Sequence, residues 1–370
     1  MQNMNEDGNI YYRLKNHSRN FYYALKNYSS DNPKSIDIEL SNQCNLHCKM
    51  CWFHGKSGIG NKYRDQELET SEIFHLIDQV AEYKPRIYLG GSEPFIRQDL
   101  IAILKHIKNR DLTVSFPTNG TLMNLEKIAA IVDMKVDDIK ISIDGNEGLH
   151  DYIRGNGVFK KATTAVKELA KYRRQSGNTK PKITINTTIT NNLIGQLQET
   201  IDNLIDATDN EADCYRIHHL WFITKNELAK HQSITKQVFG AHSLGASGHI
   251  ITEPNLIQPE ILAYEINKLK TSPKIEFYPE FQFNDIINYY SEDLQVKQRC
   301  YAPFFGVVIK PNGDMKFCPD EWIDDYIIGN IRQDNFNNLW NSEKSRLFRK
   351  ELLKQRCFPA CKRCSWMYSY

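Results

Sequence analysis

No uninterrupted apolar run in this chain approaches the roughly 18 residues of a membrane-spanning helix, so no transmembrane segment is expected. The opening Met1-Gln2-Asn3-Met4-Asn5-Glu6-Asp7 lacks the basic start and apolar stretch of a secretory signal, which predicts a cytoplasmic protein. An excess of one charge is missing as well. Lys and Arg number 47 against 45 Asp and Glu, a net charge of +2 with no basic run, which argues against nucleic acid or an anionic membrane surface as partner. What remains is an ordinary globular composition, 41% hydrophobic and 25% charged, and 370 residues suffice for one large domain and a small one.

Cysteine, by contrast, is plentiful and clustered. Three thiols fall together at Cys44, Cys48 and Cys51, five gather at Cys300, Cys318, Cys357, Cys361 and Cys364, and Cys214 stands alone. In a reducing compartment such groups point to metal and not to disulfides. The odd first group is the sharper signal. A structural zinc site takes four protein ligands, whereas three thiolates on a four-iron, four-sulfur cluster leave one iron open to another molecule.

The thiol loop follows Ser35-Ile36-Asp37-Ile38-Glu39-Leu40, whose alternation reads as a first strand. Thr70 or Ser71 caps a helix with Ile73, Leu76, Ile77 and Val80 at helical spacing. Arg86-Ile87-Tyr88-Leu89 then runs straight into Gly90-Gly91-Ser92-Glu93-Pro94, where the backbone must come close to something. The alternation continues with a helix from Asp99 to Arg110 and a strand from Leu112 to Phe116 that closes on Pro117-Thr118-Asn119-Gly120. Next come a helix over 124–134, a strand from Asp138 ending in Ser142 and Asp144, a helix to Arg174, and strands at 182–190 and 219–224. Six strands alternating with helices indicate parallel βα units. In such folds functional groups gather at strand C-terminal ends, where every motif named so far falls.

The spacing Cys44-x3-Cys48-x2-Cys51, followed one βα unit later by Gly90-Gly91-Ser92-Glu93-Pro94, resembles the signature of the radical S-adenosylmethionine (radical SAM) superfamily. The resemblance implies an α/β fold, the partial (β/α)6 TIM-like barrel of that family, with a four-iron, four-sulfur (4Fe-4S) cluster on Cys44, Cys48 and Cys51 and SAM on the open iron. An electron from the cluster would cleave the sulfonium, and the resulting 5′-deoxyadenosyl radical would abstract a substrate hydrogen that no side-chain base could remove. It further implies that Gly90, Gly91, Ser92 and Glu93 meet the methionyl end of SAM. Trp52, Asn119, Ser142, Asp144 and Arg154 join the SAM-binding set, with Arg154 near ribose or carboxylate. A loop at a helix start with surface charges is the plainer reading of Arg154.

Cys300-x12-Gly313-x4-Cys318 frames a hairpin, Phe305–Lys310 against Asp314–Phe317 through Pro311-Asn312-Gly313, and Cys357-x3-Cys361-x2-Cys364 follows. This part resembles a SPASM domain shortened to its twitch form, which holds one auxiliary 4Fe-4S cluster. The resemblance implies Cys300, Cys318, Cys361 and Cys364 as ligands, with Cys357 as a spare or a substitute. Two separated Cys pairs also describe a zinc ribbon. The domain plan is an N-terminal extension at 1–34 with a short helix around 11–28, the barrel at 35–230, a linker or insertion at 231–295 and the auxiliary-cluster domain at 296–370. The insertion holds a glycine-rich segment, 240–248, expected to be a mobile loop.

Cys214, just before the sixth expected strand, can approach the barrel mouth and return a hydrogen to a substrate radical, or it is simply a small buried hydrophobe. His219, with His218, Arg216 and Lys225, flanks the same strand as a base, a substrate anchor or a structural histidine. An auxiliary cluster beyond the substrate suits a net oxidation, because it accepts the second electron. The shortened metal domain favours a small polar metabolite, such as an aminosugar in natural-product biosynthesis. The alternative is a ribosomally made peptide matured by crosslinking, thioether formation or epimerisation. Expected partners are therefore a small molecule or peptide and an electron donor such as flavodoxin or ferredoxin. The rival of another class, a metal-stabilised RNA-binding or regulatory protein, requires steeply salt-dependent nucleic-acid binding.

Overall fold

Period-two alternation decides the sheet. Ile36 and Ile38, Ile87 and Leu89, Ile139 and Ile141, and Ile183 and Ile185 are all buried in one apolar cluster with residues of the surrounding helices. The computed structural model describes residues 18–55, 58–59, 67–251, 258–292, 294–296 and 298–369. In it these runs become β1 (Ser35–Glu39), β2 (Arg86–Gly90), β3 (Val114–Thr118), β4 (Asp138–Ser142), β5 (Lys182–Thr188), β6 (Cys214–His218) and β7 (Ile275–Tyr278). Three more strands follow, β8 (Gly306–Ile309), β9 (Asp314–Lys316) and β10 (Gly329–Asn330). All ten lie in one sheet, in the order β10-β9-β8-β1-β2-β3-β4-β5-β6-β7. From β8 to β7 every neighbour is parallel, and β9 and β10 add an antiparallel edge. β7 and β8 do not pair, so the barrel is open between them.

Helices cover the apolar face: α1 (18–25), α2 (Thr70–Val80), α3 (Leu100–Asn109), α4 (Leu125–Asp133), α5 (Glu147–Arg154), α6 (Val158–Gln175) and α7 (Leu197–Ala207). The rest are α8 (Lys225–Phe239), α9 (Pro259–Leu269), α10 (Phe283–Tyr290), α11 (Phe336–Trp340) and α12 (Glu343–Gln355). The opposite face of the strands is polar. Asp37 and Glu39, Asp138, Lys140 and Ser142, Thr184 and Asn186, Arg216 and His218, and Glu276 share it by alternation. They line a lumen unlike the branched apolar layers that fill a closed βα barrel. Most of its charges are paired: Lys140 lies 2.8 Å from Asp138, Arg216 2.7 Å from Glu276, and Lys310 2.7 Å from Glu39.

The parallel βα architecture read from the sequence is present, with differences in its second half. The sixth strand is Cys214–His218, not 219–224. An apolar run, Leu220-Trp221-Phe222-Ile223, suggested a strand there, but Phe222 and Ile223 pack as loop residues, and the strand uses the mixed polar and apolar alternation that a polar lumen needs. Residues 231–295 are more than a linker, since they supply β7 and two helices. The glycine-rich segment expected to be mobile is packed: Ser243 N donates to Asp325 Oδ1 at 3.0 Å, and Gly245, Ala246 and His249 are buried. The predicted hairpin is there, closed by Gly313 N donating to Lys310 O at 2.9 Å, but β8 lies beside β1. The expected boundary at 295/296 therefore runs across one continuous sheet. Of the expected N-terminal helix, residues 11–17 lie outside the described residues.

Candidate functional site

β1 ends in a loop held from three sides. Leu40 N donates to Gly90 O at 3.1 Å and Lys49 N to Ile153 O at 2.8 Å, while Asn119 Nδ2 donates to Asn45 Oδ1 at 2.9 Å. Each sulfur of the loop accepts an N–H: Cys44 from Leu46 N at 3.4 Å, Cys51 from His54 N at 3.2 Å, and Cys48 from Arg154 Nη1 at 3.8 Å. Burial pushes the Cys44 thiol up to about 11 and raises that of Cys48, so these two thiols keep their protons until a cation displaces them. Among the described residues no three His, Cys, Asp or Glu side chains approach closely enough to hold a single ion. A four-iron cluster takes one thiolate per iron over a wider triangle, and this donor set, with its N–H donors to sulfur, fits one.

The second motif is built against the first. Gly91 has φ +94°, and a Cβ there would lie 2.6 Å from Ser41 O, so only glycine lets the turn after β2 press on the loop after β1. Ser92 N donates to Ser41 O at 3.0 Å, and Ser92 Oγ lies 2.7 Å from His54 Nε2. Glu93 is buried and accepts from Phe95 N (3.2 Å), Thr118 Oγ1 (2.8 Å) and Asn119 N (2.8 Å). Its carboxylate thus fastens the end of β2 to the end of β3, with three of about four acceptor positions taken. Asn119 is tied to the thiol loop through Asn45. Trp52 stacks on His249 with centroids 4.9 Å apart, and His249 stacks on Trp322 at 4.2 Å. This three-ring column joins the thiol loop to the segment after Cys318.

Residues that the sequence reading missed lie across the barrel mouth. Asn186, beside Ser142 in the β4–β5 register, has a buried Oδ1 without a partner, and Thr190 Oγ1 and Asn191 Oδ1 are likewise buried without one, as is Nε2 of His218, which the sequence had named as a candidate. Buried polar atoms are rarely left unsatisfied, and a ribose with its hydroxyls is the kind of group that completes them. Asn186 was legible in principle, as the polar inner-face member of an alternating strand near its C-terminal end. Asp144 and Arg154 stand at the end of β4 as a pair, Arg154 Nε to Asp144 Oδ2 at 2.6 Å.

At the second thiol group, Cys300, Cys318, Cys361 and Cys364 lie close together. Cys357 lies beside Arg356 and Lys362 and within electrostatic reach of Cys300, and burial pushes its thiol up to about 11. The loop between Cys361 and Cys364 is fixed by Arg363, which donates to both oxygens of Glu227 (2.9 and 2.8 Å) and to Tyr289 O and Ser291 O. Three buried thiols and the half-buried Cys318, brought together by a hairpin and a locked loop, fit a fully ligated cluster.

Two expected catalytic residues are placed elsewhere. Cys214 opens β6, so it sits at the strand end away from the thiol loop, 1% exposed, and does not approach the barrel mouth as expected. His219 packs among Phe281, Tyr289 and Tyr290, with Nδ1 2.9 Å from Tyr290 Oη. Burial pushes it down to about 3. Below pH 6.5 the unfolded chain takes up a proton that the folded chain refuses, so the stability present above that pH is lost as pH falls towards 3. At pH about 5.5 this amounts to about 1.4 kcal/mol. His219→Phe should shrink the loss of thermal stability between about pH 7.5 and 5.5 by that order. An unchanged pH sensitivity in the variant would refute the assignment.

A family model described as the radical SAM superfamily matches residues 38–208, and one described as an iron-sulfur cluster-binding domain, SPASM, matches residues 300–365. The tungsten-containing aldehyde ferredoxin oxidoreductase cofactor-modifying protein of Pyrococcus furiosus is 24% identical over 345 residues, 90% of this chain and 87% of that protein. Mycofactocin maturase MftC of Mycolicibacterium smegmatis is 26% identical over 339 residues, 90% and 76% of the two. Among solved structures, Streptococcus suis SuiB bound to precursor peptide SuiA superposes with a TM-score of 0.62 at 14% identity, over 90% of this chain and 70% of SuiB, which is a likeness of fold.

Proposed function

Because this chain belongs to the radical SAM superfamily and carries a SPASM iron-sulfur domain, we propose that it modifies a peptide by abstracting a hydrogen from an unactivated C–H bond. When bound, the 4Fe-4S cluster and SAM supply a carbon-centred radical, a reagent no side chain provides. The protein's residues supply the rest. Cys44, Cys48 and Cys51 hold the cluster, and the Gly90–Glu93 turn and Asn119 shape the methionyl end of the site. Ser142, Asn186 and Thr190 meet the ribose side, and the Trp52–His249–Trp322 column closes one wall against water. Cys300, Cys318, Cys361 and Cys364 hold an auxiliary cluster, leaving Cys357 and Cys214 outside the chemistry.

The observation that carries the peptide reading is the opening between β7 and β8. A cavity of about 780 Å³ lies along the free edge of β7, lined by Glu276 and Tyr278 of that strand and by Arg299 and Tyr301 of the segment that precedes β8. A long, flexible substrate can enter a lumen that is open along its side. Two similar proteins support the same reading, since MftC is named a maturase and SuiB was solved with a precursor peptide. The expectation of an aminosugar gives way to this reading. The auxiliary cluster suits a net two-electron oxidation, with a flavodoxin or ferredoxin delivering the first electron to the SAM site. Among the described residues no helix is long and apolar enough to cross a membrane.

The test is anaerobic incubation of the reconstituted enzyme with SAM, dithionite and synthetic peptides copied from short reading frames beside its gene. Peptide-dependent 5′-deoxyadenosine, with a mass loss of two hydrogens in one peptide, is the expected result. Stimulation by a non-peptide cofactor, with every peptide returned unchanged, would overturn it.

A further inference from the structure

Arg154 is committed to two partners inside the protein. Its Nε donates to Asp144 Oδ2 at 2.6 Å, and its Nη1 donates to Cys48 Sγ at 3.8 Å. Asp144 is itself immobilised. It is 0% exposed, its Oδ1 accepts from Thr188 N at 2.8 Å, and its backbone N donates to His150 Nδ1 at 2.9 Å. The guanidinium is therefore aimed at one sulfur by a carboxylate anchored to β5.

The three sulfurs of the loop are not equivalent. Cys44 and Cys51 accept from neutral backbone N–H groups, whereas Cys48 accepts from a cation. A charge-assisted bond is stronger than a neutral one, and hydrogen bonds and charge near the sulfurs are among the quantities that set an iron-sulfur potential. Resting on the radical SAM reading of this loop, we propose that Asp144 and Arg154 form a positioning pair that sets the reduction potential of the SAM-site cluster through Cys48. Adding an electron makes the cluster more negative, and the nearby guanidinium favours that state. Asp144 opposes it in part and fixes its direction. Arginine suits the role better than lysine because its planar fork donates to two partners at a fixed angle.

Potentiometric titration of the reconstituted full-length protein, followed by electron paramagnetic resonance, tests the proposal. The signal to follow is the one absent from the variant with Cys44, Cys48 and Cys51 all changed to Ala. Arg154→Gln removes the cation and should move the midpoint to more negative potential. Asp144→Asn keeps an acceptor for Thr188 N but removes the opposing charge, and should move the midpoint the other way. Arg154→Lys should fall between wild type and Arg154→Gln. A purely structural role predicts shifts of the same sign in the Gln and Asn variants, or none, and either result overturns the proposal. If Arg154→Gln fails to load iron, the sign of the Asp144→Asn shift decides alone. If no signal is lost in the triple Cys variant, the radical SAM reading fails, and this proposal with it.

Discussion

Changing Cys44, Cys48 and Cys51 together to Ala lowers iron from about eight to about four per chain after anaerobic reconstitution, and it abolishes reductive cleavage of SAM. The arithmetic rests on two separate thiol sites. Three sulfurs stand on the loop after β1, and four gather where the β8–β9 hairpin meets the locked Cys361–Cys364 loop. Neither set reaches into the other, so losing one leaves the other loaded. Iron and sulfide analysis beside a 5′-deoxyadenosine assay reads both outcomes. About four irons in the wild type falling to none would leave the C-terminal thiols without a cluster. The case for a net oxidation would then fail, and a redox-neutral modification such as epimerisation would take its place.

Arg363→Ala costs about 3 to 5 kcal/mol of stability, because it leaves Glu227 as an uncompensated buried charge. The pair is bidentate and nearly inaccessible, with side-chain exposures of 1% and 8%. The guanidinium also lies 4.1 Å over the Phe222 ring and bonds two carbonyls of the α10 region. Arg363 stands between two thiols of the auxiliary group, so auxiliary iron is expected to fall while SAM-site iron persists. Thermal unfolding and iron content measured on the same preparation check both halves. Arg363→Met combined with Glu227→Leu should recover much of the stability, since replacing a whole buried pair by apolar groups is often neutral. A single variant as stable as wild type, with full auxiliary iron, would sink the account.

Much of this site was legible because its chemistry is local. Cys44 to Cys51 and Gly90 to Glu93 are short runs whose spacing carries the metal and the close backbone approach, and β1 to β5 alternate cleanly enough to order them. What failed was non-local. β6 was misplaced because Leu220 to Ile223 is more strand-like than Cys214 to His218, and only the polar lumen explains why the less apolar run forms the strand. β7 has four residues and ends at Pro279, too little for periodicity to register. The orphaned Asn186, Thr190 and Asn191 become visible only when β4, β5 and β6 stand side by side, and so does the unpartnered Nε2 of the His218 that the sequence had singled out. The role read for Arg154 was incomplete for the same reason, since no pattern says that its helix end faces Cys48.

The parallel pairing of β8 with β1 sets Ser35 opposite Gly306. On the ribosome, the strand that carries the thiol loop emerges early, and one of its two neighbours emerges only after most of the chain has been made. Until then β1 presents a bare hydrogen-bonding edge, the kind of surface that recruits stray strands. Nascent chains that stall before Gly306 keep that edge unpaired and lack the later thiols as well. Full-length synthesis thus precedes a closed first strand, and truncated products carry their own aggregation hazard at the point where the cofactor would be installed.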